Sequence, residues 1–147
     1  MCSLLDQSRS AWRCWYESGN DQGMITLTGF NHAMFDFLCE IFTPIFNSYT
    51  PFVPTGVSCF ERTKEKNRGR PRMIRPEDGL GLVLALTRTR GLLMALQLIF
   101  GMTYTNLDYY LLFAKRIIVI VLQDHPMAQV QIPSSEKIEE YKDVVHQ

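Results

Sequence analysis

The sequence predicts an all-α fold of about five helices, and three stretches carry that prediction. Leu96-Gln97-Leu98-Ile99-Phe100-Gly101-Met102-Thr103-Tyr104-Thr105-Asn106-Leu107 reads as a helix, a glycine turn and a second helix, the skeleton of a helix-turn-helix. Phe35, Leu38, Ile41, Phe42, Ile45 and Tyr49 recur at three- and four-residue spacing, which lays an apolar stripe along one helical face. Pro76-Glu77-Asp78 opens another helix, with proline where no backbone donor is lost and carboxylates at the positive end of the helix dipole.

Residues 1–28 include Trp12, Trp15 and Tyr16, which suit a short helix, but Gly19, Asn20, Asp21 and Gly23 break the pattern. This segment is expected to be poorly ordered, and a helical domain is expected over 29–123. Asn31 is placed to cap the helix that carries Phe35, with Phe30 as a hydrophobic staple. Pro44 is expected to kink or end that helix, because its ring deletes a donor and collides with the preceding turn. Pro51, Pro54, Gly56, Gly69 and Pro71 with a run of charges give residues 50–75 the composition of a basic loop between the second and third helices.

In the helix opening at Pro76, Leu80, Val83, Leu84, Leu86 and Thr87 cover so much of the circumference that it is expected at the centre of the core. Gly91 is placed to close it. In the helix-turn-helix-like unit, 92–122, Gly101 is expected to take positive φ, Met102 to plug the angle between the helices, and the Thr103 hydroxyl to cap the second. Leu107, Tyr110, Leu111 and Ala114 share one face of that helix. The β-branched run Ile117-Ile118-Val119-Ile120-Val121 favours a strand locally but is too short to decide, so the helix is expected to continue to about Gln123. Asp124-His125-Pro126 stops it. Ala128-Gln129-Val130-Gln131-Ile132 alternates as an extended segment does, and Ser134 is placed to cap a last helix bearing Ile138, Tyr141, Val144 and Val145. Without a stop signal before Gln147, residues 124–147 read as an extended join and the start of a truncated helix.

The chain has 147 residues, 46% apolar and 20% charged, which suits one domain with a core and argues against disorder throughout. Its zero net charge conceals an asymmetry: residues 1–60 carry 2 basic and 5 acidic groups, 61–90 carry 9 and 4, 91–123 carry 2 and 1, and 124–147 carry 2 and 5. The positive charge is therefore gathered in one segment. Cys2, Cys14, Cys39 and Cys59 form no Cys-x-x-Cys pair and have no histidine at zinc-site spacing, so they read as reduced, mostly buried thiols. No basic region followed by a long apolar run opens the chain, and the purest apolar run, Ile117 to Leu122, is far short of the roughly 20 residues a membrane span requires. An intracellular protein without a membrane partner is expected.

The gathered charge points to nucleic acid. Arg62, Lys64, Lys66, Arg68, Arg70, Arg72 and Arg75 set seven cations against Glu65 alone in fourteen positions, a run suited to neutralising phosphates and releasing counterions. Arg68-Gly69-Arg70-Pro71-Arg72 resembles the core of an AT-hook, whose extended Arg-Gly-Arg lies in a narrow, AT-rich minor groove. A solvated linker or a nuclear-import signal would have the same composition. In the second helix of the 92–122 unit, Thr103, Tyr104, Thr105 and Asn106 are candidates for phosphate or base-edge contact, but Asp108 faces the same way and no cation comes before Lys115 and Arg116. That unit suits orientation better than base reading.

Other chemistry has weak support. His32, His125 and His146 lack motif partners and suit surface or capping positions. Ser58 and Cys59 have no base at a recognisable spacing, and no glycine-rich phosphate loop follows a strand. Phe35, Phe37, Phe42, Phe46, Phe52 and Phe60, with Met24, Met34, Met94 and Met102, are expected in packing rather than in base stacking.

Thr28-Gly29-Phe30, Gly69-Arg70-Pro71-Arg72, Leu82-Val83-Leu84-Ala85-Leu86 leading to Arg90-Gly91, Phe100-Gly101-Met102-Thr103, and Asp124-His125-Pro126-Met127-Ala128 followed by Ile132-Pro133 stand in a distinctive order. In that order they resemble the N-terminal region of Harbinger-type transposase-like proteins, relatives of the DDE superfamily endonucleases. The resemblance implies a helical, DNA-contacting region ahead of an RNase H-like nuclease whose acidic triad binds divalent metal. This chain ends before the strand that would carry the first catalytic aspartate, so no catalytic residue or cofactor is carried over. The expectation is a nuclear, DNA-associating portion of a transposase-like protein, non-catalytic by itself, with DNA and a full-length transposase-like chain as partners. The alternative is a protein-interaction module or an inactive remnant of a transposon-derived gene.

Overall fold

Short polar side chains that cap, and glycines that turn, divide the N-terminal half into helices. The computed structural model describes residues 10–50, 61–62, 74–90, 92–128, 134–138 and 142. Helix α1 spans Ala11–Ser18, α2 Asp21–Thr28, α3 His32–Ser48, α4 Pro76–Arg88, α5 Leu93–Phe100 and α6 Tyr104–Asp124, and Pro126–Ala128 forms a 3₁₀ turn. Strands β1, Tyr49–Thr50, and β2, Glu61–Arg62, pair antiparallel, Tyr49 with Arg62 and Thr50 with Glu61. Apart from that two-residue ladder the fold of the described residues is all-helical, with six α-helices, one 3₁₀ helix and a further helical stretch at 135–138 where about five helices were expected.

The surplus comes from residues 10–28, the described part of the segment expected to be poorly ordered, which form two helices. The Ser10 hydroxyl accepts the Arg13 amide at 3.2 Å and starts α1, and Gly19 ends it at φ 66°. The Asn20 side chain accepts the Gly23 amide at 3.2 Å and starts α2, and the Asn31 side chain does the same for α3 through the Met34 amide at 2.9 Å. Of the residues that read as breakers, Gly19 and Asn20 are caps, and Asp21 and Gly23 belong to the first turn of α2. With two helices at the start, the basic loop lies between the third and fourth helices, not the second and third.

The α2–α3 corner is closed by Asp21, whose Oδ1 accepts the His32 amide at 2.9 Å and lies 3.0 Å from His32 Nδ1. Those bonds, the backbone one foremost, hold the Asp21 carboxyl below its ordinary range. His32 Nε2 lies 3.1 Å from the Tyr16 carbonyl, which ties the corner to α1.

Other boundaries also differ from expectation. Pro44 lies inside α3, which runs on to Ser48, where the Ser48 hydroxyl donates to the Pro44 carbonyl at 2.8 Å. Helix α4 ends at Arg88, before Gly91, and the left-handed residue after it is Arg90 at φ 53°. Gly91 and the extended segment expected over 129–132 lie outside the described residues; 135–138 are helical, and the Ile138 amide donates to the Ser134 carbonyl at 3.0 Å. The β-branched run 117–121 is helical as expected, since Ile117 and Val121, one turn apart, both reach the core.

Helix α4 runs through the middle of the bundle, and Asp78 through Ala85 are all buried. Trp12 of α1 packs on it, stacked on Phe100 at 5.2 Å and on Tyr16 at 5.8 Å, with Phe35 tilted against it at 5.6 Å. The close approach needs Gly81: a Cβ there would fall 2.3 Å from Trp12 Cζ2. Phe35, Phe42, Phe46, Met24 and Met102 are core residues, whereas Phe37, Met34 and Met94 are exposed, contrary to the packing expected of them. Phe52 and Phe60 lie outside the described residues.

Two predictions follow from this packing. Gly81→Ala, which helix propensity alone would make stabilising by about 1 kcal/mol, is expected to destabilise by about 1–3 kcal/mol because the Trp12 ring is in the way. Gly23→Ala, whose new Cβ meets nothing closer than 3.8 Å, is expected to stabilise; denaturant midpoints of the two variants check the opposite signs. The folded-state pKa of Asp21 is depressed, so the stability it adds is present above its unfolded value and is lost as pH falls through the lower folded value. In acid titrations followed by unfolding, the advantage of wild type over Asp21→Ala is expected to be lost as pH falls below 3.8, the ordinary value for an aspartate.

Candidate nucleic-acid interface

The basic tract is fastened at both ends to described structure. At its start, Arg62 belongs to β2 and pairs with Tyr49 at the end of α3. At its end, Ile74 is buried and the Arg75 amide donates to Asp78 Oδ2 at 3.0 Å. Asp78 is itself nearly enclosed. Arg13 Nη2 lies 2.9 Å from each of its oxygens, and Trp12 Nε1 donates to Oδ1 at 3.0 Å. A buried carboxylate is tolerable only with such donors, so the tract's base is as firmly placed as the core. Glu77 stands alongside, its Oε2 4.0 Å from Arg13 Nη2.

The helix-turn-helix-like unit meets this base. Gly101 ends α5 in the left-handed region at φ 63°, and Met102 is buried in the angle, both as expected. Ser10, Trp12, Asp78, Phe100 and Met102 line one small cavity of about 10 Å³. The turn before α6 and the start of α4 therefore close on the same few atoms.

Of the predicted contact residues, Arg75 is exposed at the start of α4, and Thr103, Tyr104 and Thr105 are exposed at the start of α6. Asn106 is half-buried. Thr103 has the extended backbone of a cap (φ −72°, ψ 156°), but its hydroxyl makes no cap hydrogen bond, a correction to the capping role expected of it. The side chains of Arg62, Lys64, Lys66, Arg68, Arg70 and Arg72 lie outside what the structure describes. The outward face of α6 continues through Asp108, Leu112 and Val119, an unsuitable surface for a groove of stacked bases.

Arg13 and its tie to Asp78 were missed from the sequence. The partners are 65 residues apart, and the only local signal was an arginine beside a tryptophan in an otherwise apolar turn. Cys39 is buried, and burial pushes its thiol above the ordinary range, whereas Cys14 is exposed; Cys2 and Cys59 lie outside the described residues. The Tyr16 hydroxyl donates to Asp36 at 3.2 Å; burial first, then the Asp36 carboxylate, pushes that phenol up. Among the described residues no three His, Cys, Asp or Glu are gathered as metal ligands, and no helix is long and apolar enough to cross a membrane.

Comparison with protein-family models, curated proteins and solved structures finds no match.

Removing the Asp78 carboxylate strands Arg13 and Trp12 in the interior. Asp78→Ala is expected to cost about 3–5 kcal/mol in chemical denaturation, and Asp78→Asn less because it keeps an acceptor.

Proposed function

We propose that this chain is the DNA-associating N-terminal portion of a transposase-like protein, one that binds and does not itself cut. The observation that carries the reading is the charge of 62–75, seven cations against one acid, in a chain whose net charge is zero. Polyanion binding by such a tract is entropic, through released counterions, and requires no shaped pocket. The ordered likeness to Harbinger-type proteins supports the same reading, of which a nuclear location is part.

The arrangement around Asp78 supports this reading. Arg75, the last cation of the tract, is exposed while its amide is bonded to the Asp78 carboxylate, so one end of a phosphate-bound tract would be held to the body. Thr103 and Tyr104, exposed at the start of α6, are placed for phosphates at a helix N-terminus. The body would thus fix orientation on the backbone while the tract supplies affinity, with the Arg68-Gly69-Arg70 core entering a narrow minor groove.

A fluorescence-anisotropy titration with duplex DNA over a salt series tests this. Binding is expected to weaken steeply with salt, and Arg68→Ala, Arg70→Ala and Arg72→Ala together are expected to lower affinity at least about tenfold at low salt and flatten the slope by roughly 3. Absence of binding at low salt, or an unaffected triple variant, would overturn the reading.

A further inference from the structure

Helix α6 keeps seven residues in the core, Leu107, Tyr110, Leu111, Phe113, Ala114, Ile117 and Val121, packs Tyr109 and Ile118 against its edge, and turns an exposed stripe outward. The outward stripe runs Thr105, Asp108, Leu112, Lys115, Val119, Leu122, with alternating steps of three and four as in a coiled-coil seam. It is unexpectedly apolar for a surface: Leu112 is 54% exposed, Val119 51% and Leu122 41%. Beside it lies an apolar groove of about 370 Å³ lined by Lys115, Arg116, Val119 and Ile120.

The charges on this stripe are arranged to fit a copy of themselves. At about 100° per residue, Asp108 and Lys115 lie on the same flank of the line through Leu112, one about four residues before it and the other about three after. A two-fold axis beside Leu112 reverses the second helix but keeps each flank on its own side. It therefore sets Asp108 of one copy against Lys115 of the other, at heights that differ by about 1.5 Å. The pair occurs twice by symmetry. Leu112 meets Leu112 on the axis, and Val119 meets Thr105, each about 10 Å from it. The second copy's Asp108 falls at the groove lined by Lys115. A parallel pairing would instead set Asp108 level with Asp108 and Lys115 level with Lys115 and form no Asp108–Lys115 contact, so the charges favour the antiparallel one.

We propose that the outward face of α6 is a self-docking surface, on which two copies of this chain pair antiparallel across Leu112 with reciprocal Asp108–Lys115 contacts. The contact is isologous and closes on itself. One helix against one helix covers less than the ~800 Å² per partner of a standard interface, so the dimer is weak and concentration-dependent. It leaves Thr103 and Tyr104 at the edge and stands independently of any nucleic acid.

Sedimentation equilibrium of the full chain over a wide concentration range tests this. Wild type is expected to dimerise reversibly, and Leu112→Glu to remain monomeric with an unchanged circular dichroism spectrum, since Leu112 is exposed. Asp108→Lys and Lys115→Asp are each expected to weaken the dimer about tenfold or more, and the two together in one chain to restore it. Leu112→Cys is expected to oxidise to a pair of chains joined 112 to 112, identified by mass spectrometry. Any of three results would overturn the proposal: a wild-type monomer throughout, a dimer indifferent to the charge reversals, or a double variant that stays dissociated.

Discussion

One buried carboxylate organises this molecule. Asp78 sits in the first turn of α4 and accepts from the indole of Trp12, the guanidinium of Arg13 and the amide of Arg75. Removing a carboxylate from water is costly, and the cost is offset only while all three donors are present in the right geometry. The requirement reaches in two directions. It holds the first helix against the central one, and it sets where the basic tract leaves the body.

The apolar packing is arranged around that constraint. Trp12 reaches Asp78 with its ring close against the backbone of α4, which Gly81 permits, and the ring stacks on Phe100 and Tyr16. Phe46 makes a similar approach beside Gly79, where a Cβ would stand 2.9 Å from its ring. Gly79 and Gly81, poor choices for a helix interior by propensity, are contact surfaces here. The turn at Gly101 is drawn into the same place through Phe100 and Met102, so α1, α4 and the start of α6 share one junction.

What could be read from the sequence was what local chemistry determines. The apolar spacing from Phe35 to Ile45, the proline and carboxylates at 76–78, and the glycine at 101 each act within a turn or two of chain, and α3, α4, α5 and α6 lie where those signals put them. The N-terminal pair was misread because Gly19, Asn20, Asp21 and Gly23 signal a break equally well whether they separate two helices or dissolve one. Only the burial of Trp12, supplied by residues far along the chain, decides between those outcomes. Asp78 was legible as a dipole partner of its own helix, but its larger role depends on Arg13, 65 residues away. For the candidate interface, composition located the cations, whereas spacing could not reveal that Arg75 and the turn before α6 meet beside Asp78. Nor did α6 show by pattern alone that its polar face would carry Leu112 and Val119.

Native-state amide hydrogen exchange is the most direct test of the Asp78 junction as a single cooperative unit. The amides of α1 from Cys14 onward and the amide of Arg75 are expected to exchange only through the same large opening that releases the central residues of α4, with closely matching free energies. Exchange of α1 and Arg75 through independent fraying, at a small fraction of the α4 value, would contradict the account.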